Sequence, residues 1–159
     1  MKAKAIVYTS NTGFTARYAK TLGERTGLPV LELGTALRDL PQGSPIAYLG
    51  WLCAGSVKGL KKAEDRWAIA ALCAVGMGPD GAQVEGLKDR YPGVFYLRGG
   101  YDYEKLTGVY RFMMWCMTKA LAKKAAEDPQ GAEMAAALES GGDWVDPSAL
   151  DAVAAVLAD

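Results

Sequence analysis

The residues best suited to chemistry lie between an apolar run and a helix-like segment near the start of the chain. Three side-chain hydroxyl groups are available there, those of Ser10, Thr12 and Thr15. Backbone N–H groups that can close around an anion are those of Asn11, Gly13 and Phe14. A helix beginning here adds its own free N–H groups and the positive end of its dipole. This segment is therefore predicted to bind a phosphate group.

The absence of a cation in this segment limits the kind of anion that suits it. No Lys or Arg falls within Thr9–Thr15, so hydroxyls and dipoles alone would neutralise the anion. This favours a phosphate monoester over a nucleoside triphosphate, because the G-x-x-x-x-G-K-[ST] motif is missing. The dinucleotide fingerprint G-x-G-x-x-G is missing as well. The alternative interpretation is that the hydroxyls serve only as a helix cap.

Composition excludes several other kinds of site. The 159 residues contain no histidine, which removes the usual general base and the commonest metal ligand. Cys53, Cys73 and Cys116 are far apart and lack CxxC spacing, so neither a disulfide framework nor a zinc site is predicted. We expect no catalytic side chain and no metal, and a single domain over residues 1–159.

The chain is expected to be cytoplasmic. Met1–Val7 lacks the long apolar stretch of a signal peptide. The longest apolar stretch elsewhere, Trp67–Val75, is shorter than the roughly 18 residues that a membrane span needs.

Charge is divided unevenly along the chain. Residues 1–126 hold all 18 Lys and Arg and 10 acidic residues, a net charge of +8, whereas residues 127–159 hold 8 acidic residues and no base. One interpretation is that this acidic C-terminal segment packs on or near the basic body. The other is that it binds a partner.

Apolar runs alternate with helix-like segments, which predicts an α/β fold. The predicted strands are Ala3–Tyr8, Pro29–Leu33, Pro45–Leu52, Trp67–Val75 and Val94–Leu97. The predicted helices are Gly13–Thr26, Leu60–Arg66, Val84–Arg90, Lys105–Lys124 and Pro147–Ala158. Gly27 is a stop signal for the first helix, and Asp146 or Ser148 is expected to cap the last. The alternation implies an open parallel sheet with helices on both faces.

Ligands of such folds bind outside the carboxyl ends of the strands. The loops at those ends are rich in glycine or small residues, and they are Thr9–Thr15, Leu52–Gly59, Gly76–Gly81 and Arg98–Tyr103. Function is therefore expected at this edge of the sheet.

The stretch from Ile6 to Leu22 resembles the flavodoxin signature, through the pattern Ile6-Val7-Tyr8-x-Ser10-x-x-Gly13-x-Thr15-x-x-x-Ala19-x-x-Leu22. The resemblance implies a three-layer fold with a five-stranded parallel sheet of order 2-1-3-4-5. It also implies FMN as cofactor, with its phosphate at residues 10–15.

The same resemblance implies that the next two loops hold the isoalloxazine ring of FMN. In the second loop the implied contacts are Trp51, Cys53, Ala54, Gly55 and Ser56, and in the third they are Gly76, Met77 and Gly78. Trp51 is the nearest aromatic residue in the second loop, and the alternative is that it ends the strand in the core. Because the third loop contains no aromatic residue, Met77 is the ring contact expected there.

A second, narrower resemblance covers residues 96–119. Its motifs are Tyr96-Leu97-Arg98-Gly99-Gly100-Tyr101-Asp102-Tyr103 and the Met-rich run Tyr110-Arg111-Phe112-Met113-Met114-Trp115. They are similar to the flavodoxin-domain branch that includes the menaquinone-dependent protoporphyrinogen dehydrogenases. Only Gly59–Arg66 separates the second loop from the fourth strand, which leaves no room for the extra loop of those enzymes. No Lys or Arg near the expected flavin edge is identified as a porphyrin clamp.

The predicted helix over 105–124 has two distinct faces. One apolar stripe is expected to face the sheet, and it consists of Leu106, Val109, Tyr110, Met113, Met117, Ala120 and Leu121. Phe112 and Trp115 fall outside it, among bases, and such a face suits peripheral contact with an anionic membrane or with a partner. The alternative, which the charge balance favours, is that the acidic C-terminal segment covers them.

These observations predict an FMN-binding protein that carries electrons between redox partners, either a partner protein or a quinone. One alternative is a quinone-linked flavoenzyme of the protoporphyrinogen dehydrogenase type, and a further one is a flavin-free interaction module. No nucleic-acid partner is expected. Trp51–Gly59 contains no acid and one base, Lys58, so we expect a less negative potential for full flavin reduction than in typical acidic flavodoxins.

Overall fold

The computed structural model describes residues 1–106, 108–124 and 127–159. These residues form two compact units, one of Met1–Gly99 with Val145–Asp159 and the other of Gly100–Trp144. The organisation predicted from sequence, one domain with the acidic segment 127–159 packed on or near it, stays a prediction.

The elements alternate between strand and helix through most of the chain. The strands are β1 (Ala5–Tyr8), β2 (Val30–Glu32), β3 (Pro45–Cys53), β4 (Ser56–Val57), β5 (Ala68–Gly76), β6 (Val94–Arg98), β7 (Gly100–Tyr101) and β8 (Gly142–Asp143). The α-helices are α1 (Phe14–Thr26), α2 (Leu33–Asp39), α3 (Leu60–Glu64), α4 (Gly108–Lys124), α5 (Pro129–Ser140) and α6 (Asp151–Ala158). Short 3-10 helices cover Ala82–Leu87, Tyr103–Lys105 and Pro147–Leu150.

A parallel sheet of order β2-β1-β3-β5-β6 forms the centre of the first unit. The register pairs Ile6 with both Val30 and Ala47, and it pairs Val75 with both Trp51 and Leu97. The two-residue β4 lies off this path and pairs antiparallel with β3. With β4 set aside, β5 and β6 are the fourth and fifth strands, so the predicted order 2-1-3-4-5 is confirmed.

Helices cover both faces of this sheet and give the three-layer, flavodoxin-like arrangement predicted from sequence. On one face, the core joins Ile6, Leu49 and Leu97 of the sheet to residues of α1, the Pro147–Leu150 helix and α6. On the other face, the core joins residues such as Val7 and Leu72 to α2, α3 and the Ala82–Leu87 helix. Because successive strand residues point to opposite faces, the apolar runs of the sequence fill both cores at once.

The first helix follows its sequence signals closely. Tyr18, Ala19 and Leu22 are buried on the face that packs against the sheet. The helix ends at Gly27, whose φ of 71° is in the left-handed region and whose N–H donates to the Gly23 carbonyl at 2.8 Å.

Several boundaries differ from the predicted ones. β1 starts at Ala5 rather than Ala3, and the predicted helix over 84–90 is a 3-10 helix over Ala82–Leu87. Helix α2 was not predicted. It begins where the Glu32 side chain accepts a hydrogen bond from the Gly34 N–H, and it buries Leu33 and Ala36.

The second unit is a pair of helices closed by a short antiparallel pairing of β7 with β8. Helix α4 covers most of the predicted segment 105–124, although residue 107 lies outside the described residues. Helix α5 was not predicted. None of the helices in the described part of the chain is long and apolar enough to cross a membrane.

The prediction that one stripe of this long helix faces the sheet is wrong for four of its residues. Val109, Met113 and Met117 are 63, 40 and 46% exposed, and Ala120 is exposed as well. Within the first unit, Val153 and Leu157 of α6 are buried in the core on one face of the sheet.

The prediction that the acidic C-terminal segment covers Phe112 and Trp115 is wrong as well. Their exposed fractions are 63% and 46%. Charge balance alone did not predict this outcome. Solvent screens surface charges from one another, so the attraction between an acidic and a basic surface is too weak to determine how they pack.

Candidate functional site

The candidate site lies at the edge of the sheet where the parallel strands end. Residues 9–13, 54–55, 77–81 and 99 directly follow the carboxyl ends of β1, β3, β5 and β6. A Cβ added to Gly99 would lie 3.3 Å from Phe14 Cβ, and one added to Gly76 would lie 3.0 Å from Leu52 Cδ1. The fold therefore brings three of the four loops predicted from sequence, together with Gly99 of the fourth, to one edge of the first unit.

The first loop, defined as Thr9–Gly13, turns β1 into α1 around a hydroxyl group. Gly13 has φ 98° and ψ −9°, a left-handed conformation that favours glycine. The Ser10 Oγ accepts hydrogen bonds from the N–H groups of Gly13 at 3.1 Å and Ala16 at 3.4 Å. Neither bond uses the hydroxyl hydrogen of Ser10, which can still donate to an oxyanion. The Ser10 oxygen thus satisfies two amides at the start of α1, as the helix-cap interpretation expects, and its hydroxyl hydrogen remains to contact a ligand.

The other predicted phosphate ligands have different surroundings. The Asn11 Nδ2 is buried and has no hydrogen-bond partner among the described residues. Such a donor normally finds an acceptor, so it fits an anion at this loop. Thr12 is half-buried, whereas Thr15 is only 2% exposed. A ligand must therefore reach into the loop to contact the Thr15 hydroxyl.

Arg17 is a cation near this loop that sequence reasoning did not include. It lies outside Thr9–Thr15 along the chain, but its guanidinium carbon is 5.8 Å from the centroid of the Phe14 ring. Phe14 is the first residue of α1, so the positive charge is held at the helix N-terminus. Three-residue spacing on a helix is the signal that could have identified it.

The second predicted loop is largely a β-hairpin. Ala54 and Gly55 form its two-residue turn, with φ values of 50° and 78°, and Cys53 pairs with Ser56. Positive φ at both central residues is the geometry that matches the twist of paired strands. Ala54, Gly55 and Ser56 are exposed at the tip, whereas Cys53 is half-buried.

Trp51 lies within β3 rather than in a loop. It is half-buried, and the Lys58 Nζ is 5.8 Å from the centroid of its ring. The ring thus retains an accessible part while belonging to the strand. Its role as a flavin contact stays a prediction.

A cluster of hydrogen bonds ties this hairpin to the first loop. The Lys58 carbonyl accepts from Tyr48 Oη at 2.7 Å and from Thr9 Oγ1 at 3.0 Å. Burial is the main reason that the pKa of Tyr48 is raised to about 12. The hydrogen bond with Thr9 lowers this pKa, and the negative charge of Glu32 raises it. Tyr48 therefore stays protonated as a donor. Sequence reasoning missed this cluster, because its members are distant along the chain.

The third loop, Met77–Gly81, is held by the neighbouring strand β6. Tyr96 Oη donates to the Gly78 carbonyl at 2.7 Å, and Arg98 Nε donates to the Met77 carbonyl at 3.1 Å. Burial is the main reason that the pKa of Tyr96 is raised to about 12. The predicted loop contains no aromatic residue, but the fold supplies Tyr96 to it. The fold also supplies Arg98, a base beside this edge that was not identified from sequence.

The strand order, the layers and these loops define the class of the protein. It has a flavodoxin-like three-layer α/β fold, with a helix N-terminus and two further segments converging at the carboxyl edge of its sheet. Comparisons with protein-family models, with curated proteins and with solved structures gave no match.

Proposed function

We propose that this chain binds FMN at the carboxyl edge of its sheet and carries electrons between redox partners. The observation that carries the proposal is the first loop. The Ser10 hydroxyl, whose oxygen accepts from the N–H groups of Gly13 and Ala16, and the buried Asn11 Nδ2 lie there beside the N-terminus of a 13-residue helix. Together with the sheet order, this is the arrangement in which α/β folds bind phosphate groups.

The residues at this loop fit a phosphate monoester. The unpartnered Asn11 Nδ2 supplies a donor, the Ser10 hydroxyl hydrogen supplies another, and Arg17 adds a positive charge at the same helix end. The first turn of α1 contains no acidic residue that would repel the ligand. The expected ring contacts are Trp51 from β3 and Met77 from the third loop.

When bound, FMN supplies one- and two-electron transfer. The chain's own residues bind and orient it, and the Tyr48 and Tyr96 hydroxyls hold the neighbouring loops in place. No side chain is required to move a proton. We further propose a cytoplasmic location, because the free thiols of Cys53, Cys73 and Cys116 suit a reducing compartment.

A comparison of FMN with riboflavin, which lacks the phosphate, tests the site. Ser10→Ala removes one hydroxyl donor and should weaken FMN binding about tenfold, since a hydrogen bond to a charged group contributes about 1.5 kcal/mol or more. Asn11→Asp should weaken FMN binding further, because it adds a negative charge in nearly the same shape. Riboflavin affinity should change little in either variant. Flavin fluorescence titration measures both affinities.

Thr21→Ala is the matched control, because the Thr21 hydroxyl donates to the Arg17 carbonyl within α1 at 3.0 Å. It should bind both flavins as the native chain does. Equal losses for FMN and riboflavin in Ser10→Ala would show that the hydroxyl only supports the loop. Purified protein that lacks flavin absorbance and takes up no added FMN would favour the interaction module. Porphyrinogen turnover with a quinone analogue would instead identify the quinone-linked enzyme.

A further inference from the structure

Helix α4 exposes an apolar surface that the first unit's chemistry does not use. We call this the α4 face, and its exposed large apolar side chains are Val109, Phe112, Met113, Trp115 and Met117. The Phe112 and Trp115 rings stack with centroids 6.1 Å apart. Single exposed apolar side chains are ordinary, but five within nine residues of one helix form a patch that indicates an interaction surface.

The charged residues of helix α4 itself are all basic. They are Arg111, Lys119, Lys123 and Lys124. The Lys119 Nζ lies 4.1 Å from the centroid of the Trp115 ring, and Lys119 and Lys123 line a shallow groove with Trp115, Cys116 and Ala120. Trp115 therefore lies directly beside two bases of this helix.

The α4 face is formed by five apolar side chains, and Lys119 and Lys123 lie beside it. The Thr118 hydroxyl of the same helix donates to the Met114 carbonyl at 2.7 Å. A protein partner is normally recognised through hydrogen bonds around an apolar centre, whereas a lipid interface requires only apolar insertion and charge. A symmetric pairing of two α4 faces would bring like charges together, which costs free energy.

We propose that the α4 face binds the surface of an anionic lipid bilayer. Phe112, Trp115 and the exposed methionines enter the boundary between headgroups and acyl chains, and Lys119 and Lys123 contact lipid phosphates. The helix lies in the plane of the interface and does not cross it, in accord with its length and apolar content. This binding is independent of the flavin proposal, because it uses only residues of the second unit.

Co-sedimentation of the full chain with vesicles tests this proposal. We expect binding to phosphatidylcholine vesicles that contain phosphatidylglycerol, weaker binding to phosphatidylcholine alone, and release at high salt. The double variant Phe112→Ser, Trp115→Ser should reduce binding to anionic vesicles tenfold or more. It removes the favourable free energy of moving two aromatic rings from water into the bilayer. Lys119→Gln and Lys123→Gln should each reduce it about fivefold.

Two variants on the first unit serve as matched controls. Val156→Ser removes an exposed apolar side chain of α6, and Lys20→Gln removes an exposed base of α1. Both should bind vesicles as the native chain does. Urea denaturation checks that every variant is folded, and adding FMN should leave vesicle binding unchanged.

Three outcomes would overturn the proposal. The first is equal binding to anionic and neutral vesicles, and the second is native-like binding by the Phe112→Ser, Trp115→Ser variant. The third is a concentration-dependent dimer that the same variant abolishes, since this would assign the α4 face to a second copy of the chain. Loss of flavin binding with vesicle binding intact would reject only the function proposed for the first unit.

Discussion

Ser10 illustrates how a single hydroxyl can serve both a fold and a ligand. Its oxygen accepts from the N–H groups of Gly13 and Ala16, which fixes the start of α1. Its hydrogen is unused by those two bonds, so the same group can donate outward to a phosphate. The sequence predicted the residue type and the segment. The two amide partners depended on the left-handed turn at Gly13, which brings the chain back over Ser10.

Gly59 is the residue at which packing most strictly requires glycine near the candidate site. Its φ is 76°, and an added Cβ would overlap Tyr48 Oη and approach Thr9 Cγ2 at 2.9 Å. We expect Gly59→Ala to lower the free energy of unfolding by about 3 kcal/mol, through backbone strain together with overpacking. Urea denaturation at neutral pH measures this change.

Gly27→Ala separates the two causes. Gly27 has a similar φ of 71°, but nothing lies within 4 Å of an added Cβ. It should therefore lose only the backbone contribution, about 1 kcal/mol. If both variants lose the same free energy of unfolding, Thr9 and Tyr48 can move away from the added methyl group of Gly59→Ala without loss of stability.

At the scale of elements, the predictions succeeded where periodicity was long and failed where elements were short. The buried runs of β3 and β5 and the apolar face of α1 were identified, because each extends over many residues. Helix α2 and the β3–β4 hairpin were missed. α2 has seven residues, and the hairpin turn uses Ala54 at positive φ, which no turn motif in the sequence indicates.

The final segment shows a cap that the sequence predicted and a helix type that it did not. The predicted helix over 147–158 begins as a 3-10 helix, Pro147–Leu150, before α6. The Asp146 carboxylate accepts from the Ser148 N–H at 3.0 Å and from the Ser148 hydroxyl at 2.7 Å. These bonds lower the pKa of Asp146 below its ordinary value of 3.8.

This pKa shift predicts a pH dependence for Asp146→Ala. A carboxyl with a lowered folded pKa stabilises the fold above its ordinary pKa, and this contribution is lost as the pH falls through the lowered value. The variant should therefore be less stable than the native chain at pH 7, and the difference should narrow below about pH 4. Urea denaturation across this range measures it.

Asp89→Ala, at an exposed aspartate, provides the comparison. It should show no matching decrease in stability at pH 7. A difference between Asp146→Ala and the native chain that stays constant down to acid pH would mean that the carboxylate charge does not contribute to the cap.

At the scale of the whole molecule, the distribution of charge determines what the candidate site can hold. Arg17, Lys58 and Arg98 all lie beside the carboxyl edge of the sheet, in contact with Phe14, Trp51 and the Met77 carbonyl. The second loop contributes no acid. If FMN binds as proposed, positive charge near the ring stabilises its reduced, anionic form and makes the potential for full reduction less negative than in acidic flavodoxins.

Lys58→Glu tests this electrostatic argument. It should make the potential for full reduction more negative, because a carboxylate near Trp51 opposes the added electrons. Lys20→Glu makes the same change in net charge on an exposed turn of α1. Spectroelectrochemical titration measures the potential for full reduction in both variants. An equal shift of this potential would mean that net charge causes the effect, and not the position of Lys58.

The sequence by itself determined the fold class and the segment of the candidate phosphate loop, and the strand order came from the resemblance to flavodoxins. Apolar periodicity and turn residues involve only a few neighbouring positions, so they can be identified from the sequence alone. Only the tertiary structure decided that Tyr48, Tyr96 and Arg98 hold the loops at the sheet edge, and that α6 packs on one face of the sheet. These contacts join residues far apart in sequence, and their geometry depends on how strands pair and how helices pack. The local pattern does not contain that information.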